Sequence, residues 1–282
     1  MKKCFLLEMI AIILVSVVLS GCNRSGKKVK GVTSDGKEAS VEVGVFDPVK
    51  IKNQIVEIIQ KVPKGTEIAN MLNEAGASYI FDLTVPAEKI EKMMTTTQKA
   101  LGMGMYSFDT KYAAVYKRAD MVLQTRRNVD QLSSELGLEE DMAIGKKYID
   151  RFERNKTNPD SLDYLTTQMS NEYHQYMMQG EHPDIYALGS IGANIEALHV
   201  LSQMTLMAKD KGKLLAVMNN QNERVQTLGT LLEIMSGDEN VKPYYETIQP
   251  VIRFFEEKKS ISVDDLNTIV PLIEKARGSI LE

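Results

Sequence analysis

The sequence predicts an all-α fold: a single domain of about ten antiparallel helices, behind a signal peptide and a flexible tether. Three observations lead there. From Pro48 onward, apolar residues recur three and four positions apart, the spacing of one helix face. Short turns carrying Gly, Asn or Pro separate these runs, and short connections favour antiparallel neighbours in one bundle. The only two cysteines, Cys4 and Cys22, lie ahead of the periodic region, so the body holds together by packing alone, as its length allows. The expected boundaries are 1–21 for the signal, 22–47 for the tether and 48–282 for the helical domain.

Lys2 and Lys3 form a positive start, and Met9 to Leu19 is an apolar run interrupted only by Ser16. That is the layout of a secretory signal, and it is short of the roughly 20 residues a membrane-spanning helix needs. The ending Leu19-Ser20-Gly21-Cys22 resembles the bacterial lipoprotein lipobox. The resemblance implies a diacylglyceryl group on the Cys22 thiol, cleavage before it and acylation of the new amino terminus. Two or more acyl chains make a stable anchor, where one is marginal. Asn23 follows in place of the aspartate that resembles an inner-membrane retention signal. The expected location is therefore the periplasmic face of the outer membrane. Surface display is the alternative, set against the basic character of the segment after Cys22.

Asn23 to Asp47 is rich in Lys, Gly and Ser and reads as a coil spanning on the order of 25–30 Å. Its end, Ser40 to Phe46, alternates like a short strand. Ile51, Ile55, Ile58, Ile59 and Val62 then mark a helix, and Ile68, Met71, Leu72 and Ala75 a second one closed by Gly76. Pro86 suits the first turn of a third, with Ile90, Met93, Met94 and Leu101 inward. A long helix is expected from about Met103 to Arg126, striped by Phe108, Tyr112, Val115, Tyr116, Ala119, Val122 and Leu123. Further helices follow near Glu139 to Arg154, from Pro159 to about Gly180 and from Pro183 to about Lys209. Leu214, Met218, Gln221, Val225, Leu228, Leu232 and Met235 repeat at 4-3-4-3-4-3, a coiled-coil-like seam. Pro243 starts a helix interrupted at Pro250, and Ser262 is the expected cap of the last one, interrupted at Pro271.

Without residues 1–21 the chain keeps 32 basic and 37 acidic side chains, net −5. No basic patch suggests nucleic acid. The absence of Trp argues against a broad aromatic platform for sugars. Lipidation would consume the last cysteine, leaving no thiol nucleophile or thiolate metal ligand. No G-x-S-x-G, H-E-x-x-H or Walker loop is present.

Asp109 sits on or beside the apolar stripe of its helix, where a carboxylate needs a partner. It serves either a ligand or proton site, or a core satisfied by Tyr hydroxyls, a helix N-terminus or a Lys or Arg. Gly189-x-x-Gly192-Ala193-x-x-Glu196-x-x-His199 puts small residues and Glu196 on one side of a helix, inviting close approach. Glu196 and His199 have the E-x-x-H spacing of a di-iron bundle, but no second such element exists, so no metal or other cofactor is expected. Met103-x-Met105 and His174-x-x-Met177, with Met178 and His182 nearby, could suit Cu(I) or fill irregular cores.

The stretches Gly104-Met105-Tyr106-Ser107-Phe108-Asp109 and Gly192-Ala193-Asn194-Ile195-Glu196 correspond: each places an acid four or five residues after a Gly, then a ring three residues on (Tyr112, His199). Over Ala100 to Met235 the chain resembles a family of Bacteroidota lipoproteins to which no activity is assigned. They carry a glycine–tyrosine–aspartate–tyrosine helix start and a later glycine–isoleucine–glutamate one; Asn194 departs from that pattern, standing in place of an aromatic. The resemblance implies that Asp109 and Glu196 face each other across a pseudo-symmetric centre.

The sequence reading is thus a membrane-anchored, non-enzymatic binding or assembly module with a protein partner in the cell envelope. Its groove is expected between the helices starting near Gly104 and Pro183, lined or braced by Asp109, Tyr112, Glu196 and His199. The alternatives are a Met/His Cu(I) carrier and a hydrolase with two acids about 5–10 Å apart in an open cleft.

Overall fold

A computed structural model of the chain describes residues 29–32, 38–41, 48–59, 61, 67–155, 158–179 and 182–282. The signal and Cys22 lie outside them. Residues Met1–Phe46 and Asp47–Glu282 form two separate units. In the first, Val29–Val32 (β1) and Glu38–Val41 (β2) pair antiparallel, Val29 opposite Val41 and Val32 opposite Glu38. A strand was expected only at Ser40 to Phe46; of that stretch, Ser40 and Val41 are in β2, and 42–46 lie outside the described residues.

The second unit is all-α. Among the described residues its helices are Pro48–Ile59 (α1), Glu67–Glu74 (α2), Thr96–Val115 (α3), Ala119–Glu135 (α4), Glu139–Asn155 (α5), Pro159–Gln179 (α6), Pro183–Met207 (α7), Gly212–Asn219 (α8), Asn222–Met235 (α9), Lys242–Glu257 (α10) and Leu266–Leu281 (α11). Gly76 ends α2 with φ +82°, the left-handed cap the sequence assigned to it.

Four boundaries differ from the sequence reading. The helix expected at Pro86 is a 3-10 turn, Ala87–Lys92, and α3 starts later, where the Thr95 side chain accepts the Gln98 N–H. The long helix expected over Met103 to Arg126 is two helices. Lys117 adopts φ +61° between them, and α4 folds back along α3, with Thr110 Oγ1 2.9 Å from Thr125 Oγ1. The Leu214 to Met235 seam is cut at Asn220 and Gln221, yet its residues stay buried, because a two-residue break leaves them all turned inward. Ser262 does not cap α11 directly; its N–H and hydroxyl both donate to Asp265 at the helix start.

Consecutive helices α3 to α6 run antiparallel. The central pair, α3 and α7, are not consecutive and run parallel: Leu101 meets Gly192 at one end, and Tyr112 meets Met204 at the other. A Cβ on Gly104 would overlap the Gly189 carbonyl oxygen and stand 2.9 Å from the Ala193 nitrogen. A Cβ on Gly192 would overlap the Leu101 carbonyl and stand 2.9 Å from Leu101 Cα. Glycine at both positions lets two backbones touch, as the small-residue spacing suggested. The main core surrounds this crossing. A second apolar cluster, with Ala113, Val122, Phe152 and Leu162, joins α3 to α4, α5 and α6. Among the described residues no helix is long and apolar enough to cross a membrane.

Candidate functional site

The α3–α7 crossing closes the groove expected there. Asp109, Tyr112 and Glu196 are fully buried and His199 is 5% exposed. The physical reason is the glycine contact itself, which brings the helices too close to leave a channel.

The two acids do come together. Glu196 is held by Arg277 of α11 in a bidentate pair, with Nε 2.7 Å from Oε2 and Nη2 3.0 Å from Oε1. Asp109 accepts the Val85 N–H on Oδ2 at 2.9 Å, and its Oδ1 is buried without a hydrogen-bond partner. Burial, and then the negative charge of Glu196, hold the Asp109 carboxyl well above the usual carboxylate range, against the Val85 N–H and Arg277. The two acids thus sit in different surroundings: Glu196 is paired with a guanidinium, whereas Asp109 is held by a single backbone N–H.

His199 lies with Nδ1 2.8 Å from Glu274 Oε1, off the line a hydrogen bond needs, and burial lowers its pKa. Gln203 donates to the same oxygen at 2.7 Å. The E-x-x-H of α7 thus faces Glu274-x-x-Arg277 of α11 in an interhelical ladder with no metal geometry. Among the described residues no three His, Cys, Asp or Glu are grouped to hold a metal ion. Arg277 was missed in the sequence; its signal was an E-x-x-R of matching spacing near the C-terminus.

Tyr112 belongs to a ring cluster with Tyr79 at 4.7 Å, Tyr116 at 5.1 Å and Phe108 at 6.0 Å between centroids. Its hydroxyl accepts the Ile80 N–H at 2.9 Å, while burial pushes its pKa up to about 12. Met103 and Met105 are core residues, and Ser133 Oγ approaches the Met103 sulfur at 3.4 Å. His174 Nδ1 is 2.5 Å from the Tyr186 hydroxyl, and the side chains of Met177 and Met178 lie outside the described residues. The acid pair that a hydrolase would use has no opening to solvent.

An open site exists elsewhere. A cleft of about 450 Å³ runs between α9 and α10, with Ile58 and Lys61 at the end of α1 on its rim. Its α9 wall is a polar stripe of Glu223, Gln226, Thr227, Thr230 and Glu233, which recur on one helix face. Its α10 wall is Tyr245, Gln249, Arg253 and Glu256, with Gln249 donating to the Tyr245 hydroxyl at 2.6 Å. Gly229 and Ile252 form its floor, close enough that a Cβ on the glycine would stand 2.8 Å from Ile252 Cγ2. In sequence this stripe is indistinguishable from a solvated helix face, because only packing shows that a second helix stands opposite it.

Comparison of the chain with protein-family models, with curated proteins and with solved structures finds no match.

Proposed function

We propose that the chain is a lipoprotein anchored through Cys22 at the periplasmic face of the outer membrane, acting as a non-enzymatic binding or assembly module. Its docking place is the cleft between α9 and α10. The observation that carries this reading is the contrast between the two polar sites: the acid pair is sealed, whereas the cleft is open and walled by hydrogen-bonding side chains of both charges. Mixed acids, amides, hydroxyls and one arginine suit the polar rim of a protein partner better than a small apolar ligand.

Two experiments test it. Cys22→Ser should move the protein from the membrane fraction to the soluble envelope fraction; unchanged membrane retention would rule out the anchor. A photo-reactive residue at Thr230 or Gln249 should trap one common partner in cells, and Arg253→Glu should abolish that product. The same product from an exposed residue outside the cleft, such as Tyr164 of α6, would reject the cleft as the docking place.

A further inference from the structure

Between α2 and α3 the chain crosses the bundle as a strap, Tyr79 to Pro86, containing one 3-10 turn, Phe81–Leu83. Thr84 and Pro86 are extended, with φ/ψ of −77°/162° and −60°/138°. The strap lies on one face of α3, whose side chains at 106, 109 and 112 follow one another three residues apart. Those side chains read its backbone. Tyr112 Oη accepts the Ile80 N–H, Asp109 Oδ2 accepts the Val85 N–H, and Tyr106 Oη donates to the Pro86 carbonyl, each at 2.9 Å. From α11, Arg277 Nη2 reaches the Leu83 carbonyl at 3.5 Å while the guanidinium is fixed by Glu196. None of these four contacts involves a strap side chain, so none depends on strap sequence. Leu83, Thr84 and Val85 are buried, whereas Phe81 is 55% exposed.

The fit is incomplete. Asp109 Oδ1 is fully buried beside the strap and has no partner, and a buried polar atom without a partner is rare in a settled core. We infer that α3 and α11 form a peptide-binding groove that the chain fills with its own residues Tyr79–Pro86, and that a partner segment of the same chemistry can replace them. That segment is a short peptide with two apolar residues around a hydroxyl residue, ending in proline, and it carries one further hydrogen-bonding group for Asp109 Oδ1. The inference does not rest on the α9–α10 cleft, and either can fail alone.

The test uses the full chain with Leu83→Ser, which weakens the apolar hold of the strap and leaves the four reading side chains in place. The probe is a fluorescent peptide of the strap sequence, Tyr-Ile-Phe-Asp-Leu-Thr-Val-Pro. It should bind the variant at least tenfold more tightly than the wild type, and adding Arg277→Met should remove the gain. Absence of binding to a folded variant overturns the inference. Should Leu83→Ser fail to fold, amide exchange in the wild type decides. The Ile80 and Val85 amides should exchange together and faster than those of Leu101 to Tyr106. Exchange of both sets at one common rate overturns it equally.

Discussion

At the scale of single residues, Asp109 is the most consequential side chain in the molecule. Folding takes it out of water and sets it near the charge of Glu196, so the folded state keeps a proton that the unfolded chain releases. A folded pKa raised above the unfolded one gives stability that is complete below the unfolded value, about 3.9 for aspartate, and is lost as pH rises through the folded value. The loss has a ceiling of about 1.4 kcal/mol per pH unit. Asp109→Asn keeps an oxygen for the Val85 N–H and cannot ionise. The variant should match the wild type in urea unfolding near pH 4 and exceed it at pH 8. A difference that shrinks as pH rises would contradict a raised Asp109 pKa. The sequence located this residue correctly, since an acid on an apolar stripe is visible in the periodicity. Its partners were not legible, because Val85 and Arg277 are 24 and 168 positions away.

At the scale of elements, the parallel contact of α3 and α7 positions everything else. Gly104→Ala and Gly192→Ala each force a methyl group into the opposing backbone. Overpacking of this kind costs about 1–3 kcal/mol, against a gain of under about 1 kcal/mol from alanine's helix propensity. Each variant should lose several degrees of Tm by calorimetry. Gly278→Ala in α11 is the control: its Cβ would meet nothing closer than Glu282 Oε1 at 3.8 Å, so its Tm should hold or rise. Equal effects at all three positions would mean that the crossing is not under backbone contact. The sequence marked the small-residue face of α7. It did not reveal that α3 ends at Val115, because Tyr116 and Ala119 continue the helical stripe; only the positive φ of Lys117 turns the chain. The same blindness hid the break at Asn220, where the seam residues keep their spacing across the interruption.

At the scale of the whole molecule, the helical body is a unit of its own from Asp47 onward, with an apolar core spanning α1 to α11 and a second cluster over α3 to α6. A chain beginning at Asp47 should therefore keep the far-UV circular dichroism per helical residue and the Tm of the full protein. A large fall in Tm would show that the N-terminal unit supports the fold.

Helix class, approximate helix count and the places where polar residues enter apolar faces were determined by the sequence alone, because each depends on spacing within one element. Helix direction, the closure of the expected groove, the strap across α3 and the open cleft on α9 and α10 were decided by tertiary structure. Each of these depends on which side chain stands opposite, and that is set by the packing of segments tens to hundreds of residues apart. The four residues picked from sequence are adjacent to one another in space for that reason, yet they hold the chain's own backbone and helices together instead of facing solvent.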